Sequence, residues 1–341
     1  MKQVAMAAVS CVWVVVVGAA GVSAAQDWSP AALAEEAERV REVVTQQAVV
    51  EWLGKAKELP EVEGQTLFVG PRVEGGFDRE VYTPRQARDL SEEDLAEFRA
   101  VTYGPERYYA TNYGSPIAYA TALACAADAG IESFAFKRIL DIGYGQIGQL
   151  EMLARCGAEV DGVEVDPVVH LLYASTRLTD TVVAEDGTRG RVSLHCGQWF
   201  RDWNFRKSVG KGYDLILARN VLKRGYVHPE EPMQGFDPID VGGDAAMGAQ
   251  IIYEALEPGG IAVVYNLGGG PWRREDGSYN APADVRDPFG REAWEAAGFE
   301  VLHFQANGSQ AMREVGVALG WGTLEDLASY NVLYTVVRRP E

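Results

Sequence analysis

The chain has 341 residues, 49 of them acidic and 31 basic, for a formal net charge of −18. That balance excludes a protein that tracks nucleic-acid phosphates, which needs a basic face. With 47% hydrophobic and 23% charged residues, the composition is globular and excludes disordered, collagen-like and multi-span membrane chains. Four cysteines, Cys11, Cys125, Cys156 and Cys196, are too scattered for a disulfide framework and match no zinc spacing, so no metal site is expected.

Met1-Lys2 precedes an uncharged stretch, Val4–Val22, which ends in the small residues Ser23-Ala24-Ala25. This predicts an export signal over residues 1–25, cleaved near Ala24 or Ala25; the competing reading is an uncleaved N-terminal anchor. The expected location is therefore extracytoplasmic, periplasmic or secreted, with no membrane attachment after cleavage.

Residues 26–134 read as a mainly helical N-terminal extension and lid. Leu33, Val40, Val43, Val44, Val50 and Leu53 recur at helical spacing and predict a helix or helix pair over Pro30–Leu59. Glu61–Arg88 reads as a loop. The acidic run after Ser91 predicts a helix to about Ala100. Tyr108–Pro116 is an aromatic turn, and Pro116 suits the first position of a helix running to about Gly130.

From residue 135 to 341 the pattern becomes strand, turn, helix. Predicted strands are Arg138–Ile142, Glu159–Val165, Arg191–His195, Tyr213–Ala218, Ile261–Asn266, Glu300–Gln305 and Asn331–Val337. Helices are predicted over Ile147–Cys156, Pro167–Arg177, Asp244–Leu256, Arg291–Ala297 and Ser309–Ala318. This alternation implies an α/β fold, a doubly wound, mostly parallel sheet.

The first strand runs into Asp141-Ile142-Gly143-Tyr144-Gly145-Gln146-Ile147-Gly148. Gly143, Gly145 and Gly148 permit a tight strand-to-helix turn and close ligand approach. Glu164 ends the next strand, where a carboxylate can accept from both hydroxyls of a ribose. Asp141 would repel a pyrophosphate at this turn but attract an ammonium or sulfonium. That combination favours S-adenosylmethionine over a dinucleotide, unless Asp141 only caps the turn.

On Leu140–Gly145 and Gly162-Val163-Glu164-Val165-Asp166-Pro167, the chain resembles the class I S-adenosylmethionine-dependent methyltransferases, in an uncharacterised bacterial, exported branch. The resemblance spans about Tyr108 to Arg338, and Glu257-Pro258-Gly259-Gly260 is a further mark of it. It implies a Rossmann-like, seven-stranded sheet with an antiparallel last strand. It also implies that Cys196–Trp199 lines the adenine, with Gln198 where an aspartate is frequent; the Gln198 amide oxygen can accept from the adenine amino group. Tyr144 stands where a small residue is common, which would narrow the pocket.

After the fourth predicted strand, Arg219, Lys223 and Arg224 fall within six residues, at the rim where open α/β sheets bind ligands. If helical, Arg219 and Lys223 share a face. Two readings stand open: a solvated turn, or a grip on an anionic small-molecule acceptor. In the second, Asn220 orients the acceptor, Tyr226 or His228 takes its proton, and Tyr113 is a further acceptor contact. His170 and His303 read as packing or surface residues. The Trp272–Tyr279 loop is either a lid or a solvated turn. Methyl transfer to such an acceptor is the leading function. An exported, non-catalytic binding protein retaining the fold is the alternative, because the methyl donor is made in the cytosol. A dinucleotide dehydrogenase fits Asp141 poorly.

Overall fold

A computed structural model describes residues 28–72, 78–109, 114–174, 180–233 and 237–341. The predicted export segment and Tyr113 lie outside the described residues. Ser29 caps the first helix, α1 (Pro30–Arg41), by accepting from the Ala32 N–H at 3.2 Å, and α2 (Gln47–Gly54) completes the expected helix pair. Their apolar residues, including Leu33, Val40, Val49, Trp52 and Leu53, are buried.

The region expected as loop and helix between residues 61 and 100 is instead largely a small antiparallel sheet. Its strands are β1 (Gln65–Val69), β2 (Val81–Tyr82) and β3 (Arg99–Tyr103), in the order β2-β1-β3. Single helical turns α3 (Pro84–Ala87) and α4 (Glu92–Leu95) lie between β2 and β3. The helix predicted from Ser91 stops after one turn because the Arg99–Tyr103 backbone pairs with β1, Leu67 opposite Val101. The N-terminal extension is therefore mixed rather than mainly helical.

A turn, α5 (Pro105–Tyr108), leads towards Pro116, which opens a 3-10 turn ahead of α6 (Ala120–Asp128). The main sheet then begins. Its strands are β4 (Arg138–Ile142), β5 (Glu159–Glu164), β6 (Asp180–Val183), β7 (Arg189–Cys196), β8 (Tyr213–Arg219), β9 (Leu256–Gly269), β10 (Glu300–Asn307) and β11 (Tyr330–Arg338). The interleaved helices are α7 (Gly148–Arg155), α8 (Pro167–Ala174), α9 (Trp203–Val209), the turn α10 (Arg224–Val227), α11 (Ala245–Ala255), α12 (Arg291–Ala296) and α13 (Ser309–Ala318).

The strand order is β10-β11-β9-β8-β4-β5-β7-β6, with β7, β5, β4, β8 and β9 parallel along the centre. As expected, β11 is antiparallel to its neighbours. The sheet has eight strands rather than seven: β6 adds an antiparallel edge to β7 through a turn at Asp186-Gly187, where Gly187 has φ +85°.

Side chains alternate between two cores. One face buries Ile139, Leu215, Leu217 and Tyr265 against the N-terminal helices, α6, α7 and α13; the other buries Leu140, Ile142, Ile216 and Ala218 with Trp294 and Phe289. Both faces are covered, as a parallel sheet requires. Among the described residues no helix is long and apolar enough to cross a membrane.

Candidate functional site

The two central strands β4 and β5 end side by side, and the turn after β4 folds over the end of β5. Gly143 and Gly145 have φ +70° and +62°, values that a side chain disfavours. This geometry lets the Gly143 N–H donate to the Val163 carbonyl at 2.7 Å and the Gly145 N–H donate to Glu164 Oε2 at 3.1 Å. Glu164 Oε1 accepts two more bonds, from Val165 N–H at 2.7 Å and Asp166 N–H at 3.1 Å. Burial pushes the Glu164 carboxyl up to about 7, although those N–H groups favour its ionised form. With two lone pairs per oxygen, Oε1 is full and Oε2 has one site left. The expectation that Glu164 accepts from both ribose hydroxyls narrows to one.

Asp141, fully buried at the end of β4, accepts from Gln149 Nε2 on Oδ2 at 3.2 Å. Its Oδ1 has no hydrogen-bond partner. Burial pushes this carboxyl up to about 7, while Gln149, the neighbouring Tyr119 hydroxyl and Arg219 favour the charged form. The Tyr119 hydroxyl donates to the Tyr144 carbonyl at 3.3 Å, and Gln149 Nε2 donates there too, at 2.8 Å. Next to the turn, Gln146 is fully buried with neither side-chain polar atom bonded. Gln146, Gln149 and Tyr119 were not singled out in the sequence; the spacing of the two glutamines on a helix start was the available signal.

Two expectations about the turn are corrected. Gly148 does not serve close ligand approach: a Cβ there would lie 2.7 Å from Pro116 Cγ, so the glycine admits the N-terminal segment. Tyr144 does not narrow a pocket: its ring is buried beside Gly162, where an added Cβ would lie 2.8 Å from Tyr144 Cδ1. Gly143 is covered by Val221, which leaves no room for a side chain. At the end of β7, the Gly197 N–H donates to the Glu164 carbonyl at 3.0 Å, bringing the exposed Gln198 to the same rim.

The segment after β8 divides the predicted acceptor residues. Asn220, at φ +62°, is a turn residue: its Oδ1 accepts from Leu267 N–H at 2.6 Å, so its amide is not free to orient an acceptor. Lys223 is buried, its ammonium donating to the Leu267 and Pro282 carbonyls at 3.0 Å each and lying 4.4 Å from the centre of the Tyr226 ring. Burial, with Arg219 nearby, lowers it to about 7. It ties three segments together and is not an acceptor grip. Arg219 and Lys223 share no helix, since the helical turn begins only at Arg224. Arg219 is half-buried, with its guanidinium 5.1 Å from the centre of the Tyr119 ring.

Arg224, Tyr226 and His228 remain on α10 and its C-terminal end. Arg224 Nε and His228 Nε2 are buried without partners. Burial and Arg224 lower the His228 pKa, against the pull of Asp244, whereas burial raises Tyr226 to about 12. His228 is thus the better base of the two near neutral pH. The Trp272–Tyr279 loop is a clasp over this segment: Arg273 pairs with Glu230 and Glu231, and Arg286 joins Glu230 at 2.7 Å to the buried Asp284 at 2.6 Å.

On the far side, Arg79 donates to both oxygens of Asp166 at 2.7 Å, tying the segment before β2 to the loop that carries Glu164. His170 is half-buried and His303 exposed, as expected of packing and surface residues. Among the described residues, Cys125, Cys156 and Cys196 are free thiols.

No family model matches the chain, and no curated protein matches it significantly. Solved structures with a similar course include the [4+2]-cyclase SpnF, at 19% identity and a TM-score of 0.41 over 65% of this chain and 81% of that one. An S-adenosylmethionine-dependent methyltransferase from Mesorhizobium loti aligns at 16% identity and a TM-score of 0.40, over 64% of this chain and 98% of that one. Phosphoethanolamine N-methyltransferase 2 from Haemonchus contortus, in complex with phosphomonomethylethanolamine and S-adenosylhomocysteine, aligns at 16% and 0.40 over 69% and 56%. At these scores the function rests on the residues of this chain alone.

Proposed function

We propose that the chain is an S-adenosylmethionine-dependent methyltransferase acting on a small-molecule acceptor. The observation that carries this reading is the pair of fully buried carboxylates flanking the glycine turn, Glu164 held to the Gly145 N–H and Asp141 with one oxygen unbonded. An unpaired buried carboxylate is costly unless a cation or donor meets it. The phosphate-free, cationic cofactor supplies the ammonium and sulfonium that suit Asp141, and a ribose hydroxyl for the remaining site on Glu164. The Gly143–Gly145 turn gives the backbone close approach, and Gln198 at the rim suits an adenine amino group.

S-adenosylmethionine, when bound, supplies an activated methyl group. The chain's own task is then to align acceptor, methyl and sulfur and to exclude water. Of the predicted acceptor residues, Arg224 is the cation left unbonded at Nε, suited to a carboxylate or phosphate on the acceptor. His228, kept neutral by burial and Arg224, takes a proton where the acceptor nucleophile carries one; Tyr226 is too weak a base at neutral pH.

Calorimetry with S-adenosylhomocysteine tests the reading. Binding to the folded protein is expected, and its absence overturns the methyltransferase assignment. Export with cleavage near Ala24 or Ala25 is part of the proposal and rests on the sequence of residues 1–25; N-terminal sequencing after expression in a Sec-competent host is expected to find Ala25 or Gln26 first.

A further inference from the structure

Asp141 and Arg219 lie on neighbouring parallel strands, and Asp141 is in register with Leu217. Arg219 is two residues beyond Leu217, hence on the same face of the sheet and roughly 7 Å further towards its ligand-binding edge. Despite this proximity the two do not bond: Asp141 Oδ1 and Arg219 Nε are both buried without partners. Arg219 makes no other hydrogen bond and rests on the Tyr119 ring, which fixes its place without using its donors. A buried acid and base would ordinarily meet, because each lowers the other's desolvation cost. Here the backbone register and the Tyr119 platform hold them apart, leaving an acceptor and a set of donors facing the same edge.

We propose that Asp141 and Arg219 together read the zwitterionic amino-acid end of the ligand, Asp141 taking its ammonium and Arg219 its carboxylate. Arg219 thus belongs to the donor side of the site and not to the acceptor grip expected from the sequence. This assignment rests on the methyltransferase reading and adds a specificity to it. The glycine turn and Glu164 recognise the nucleoside, whereas the strand pair selects for an intact α-amino acid. Arg219 suits that role because its planar fork matches a carboxylate with two parallel bonds.

The test is calorimetric binding of three compounds: S-adenosylhomocysteine, its decarboxylated analogue, and 5′-methylthioadenosine, which lacks the whole amino-acid arm. Wild type is expected to prefer the first over the second by about 10- to 100-fold, the loss of a charged bidentate contact. Arg219→Gln is expected to erase that preference by weakening S-adenosylhomocysteine alone, and Arg219→Lys to restore part of it. Asp141→Asn should weaken both amine-bearing compounds. Unchanged 5′-methylthioadenosine binding in every variant reports an intact fold. If S-adenosylhomocysteine binds wild type and Arg219→Gln equally, or if Arg219→Gln weakens all three compounds alike, the zwitterion assignment is overturned while the cofactor reading stands. If none of the three binds folded wild type, the cofactor reading fails and takes the assignment with it.

Discussion

Asp141 and Glu164 set the pH behaviour of the site. In the ligand-free chain burial raises each carboxyl to about 7 from ordinary values of 3.8 and 4.5. Between about pH 4 and 7 the folded chain therefore binds protons that the unfolded chain has released, so these two groups contribute less stability as pH rises through that window. Their contribution is greatest at the acidic end, and Asp141→Asn is expected to flatten the slope of Tm against pH between pH 5 and 8. Ligand binding runs the other way, since a cation needs ionised carboxylates. S-adenosylhomocysteine affinity is expected to rise from pH 6 to pH 8, with Asp141→Asn losing most of that rise; a flat wild-type profile by calorimetry would contradict it. Asn220 supplies a second check. Replacing it with Ala removes the bond to Leu267 N–H and places Cβ at φ +62° without a compensating side chain, at a cost of about 1–3 kcal/mol. Asn220→Gly relieves the backbone term and should be the milder change by urea melt.

Among the elements, the start of α7 carries both a ligand role and a packing role, which the glycines divide. Gly143 and Gly145 shape the turn, while Gly148 lets Pro116 sit against the helix. Gly148→Ala is accordingly expected to destabilise the fold by about 1–3 kcal/mol through overpacking, while cofactor affinity at 25 °C stays within about twofold of wild type. A large loss of affinity with an unchanged melt would return Gly148 to the ligand site. The glycine spacing was readable in the sequence; which glycine served which purpose was not, because Pro116 reaches Gly148 from 32 residues upstream. The same limit explains β1 to β3. Each is short, and what makes Arg99–Tyr103 a strand is the partner backbone of Gln65–Val69, a non-local choice that local propensity does not carry.

At the scale of the molecule, the extension and the sheet share one core. The Trp52 indole donates to the Gln149 carbonyl of α7 at 3.4 Å, and Leu33, Val49 and Leu53 are buried in the same apolar cluster as Ile139, Leu150 and Leu217. A fragment comprising residues 135–341 alone would expose that face, so it is expected to be insoluble or to lack a cooperative melt, whereas the chain from residue 26 should unfold in one transition. A soluble, cooperatively folding fragment would show that the extension is a separable domain.

The amino-acid sequence by itself determined the α/β class, nearly every strand of the main sheet and the two carboxylates beside the glycine turn. These are written in local period, turn residues and spacing, which depend on neighbours along the chain. Tertiary structure decided what those residues are free to do. It closed Lys223 on two carbonyls and spent the Asn220 amide on Leu267. It also left Asp141 and Arg219 facing the same edge unpaired. Whether a polar side chain is available depends on the backbone groups that distant segments bring to it, and burial makes that choice binding because an unmet partner has no water to replace it.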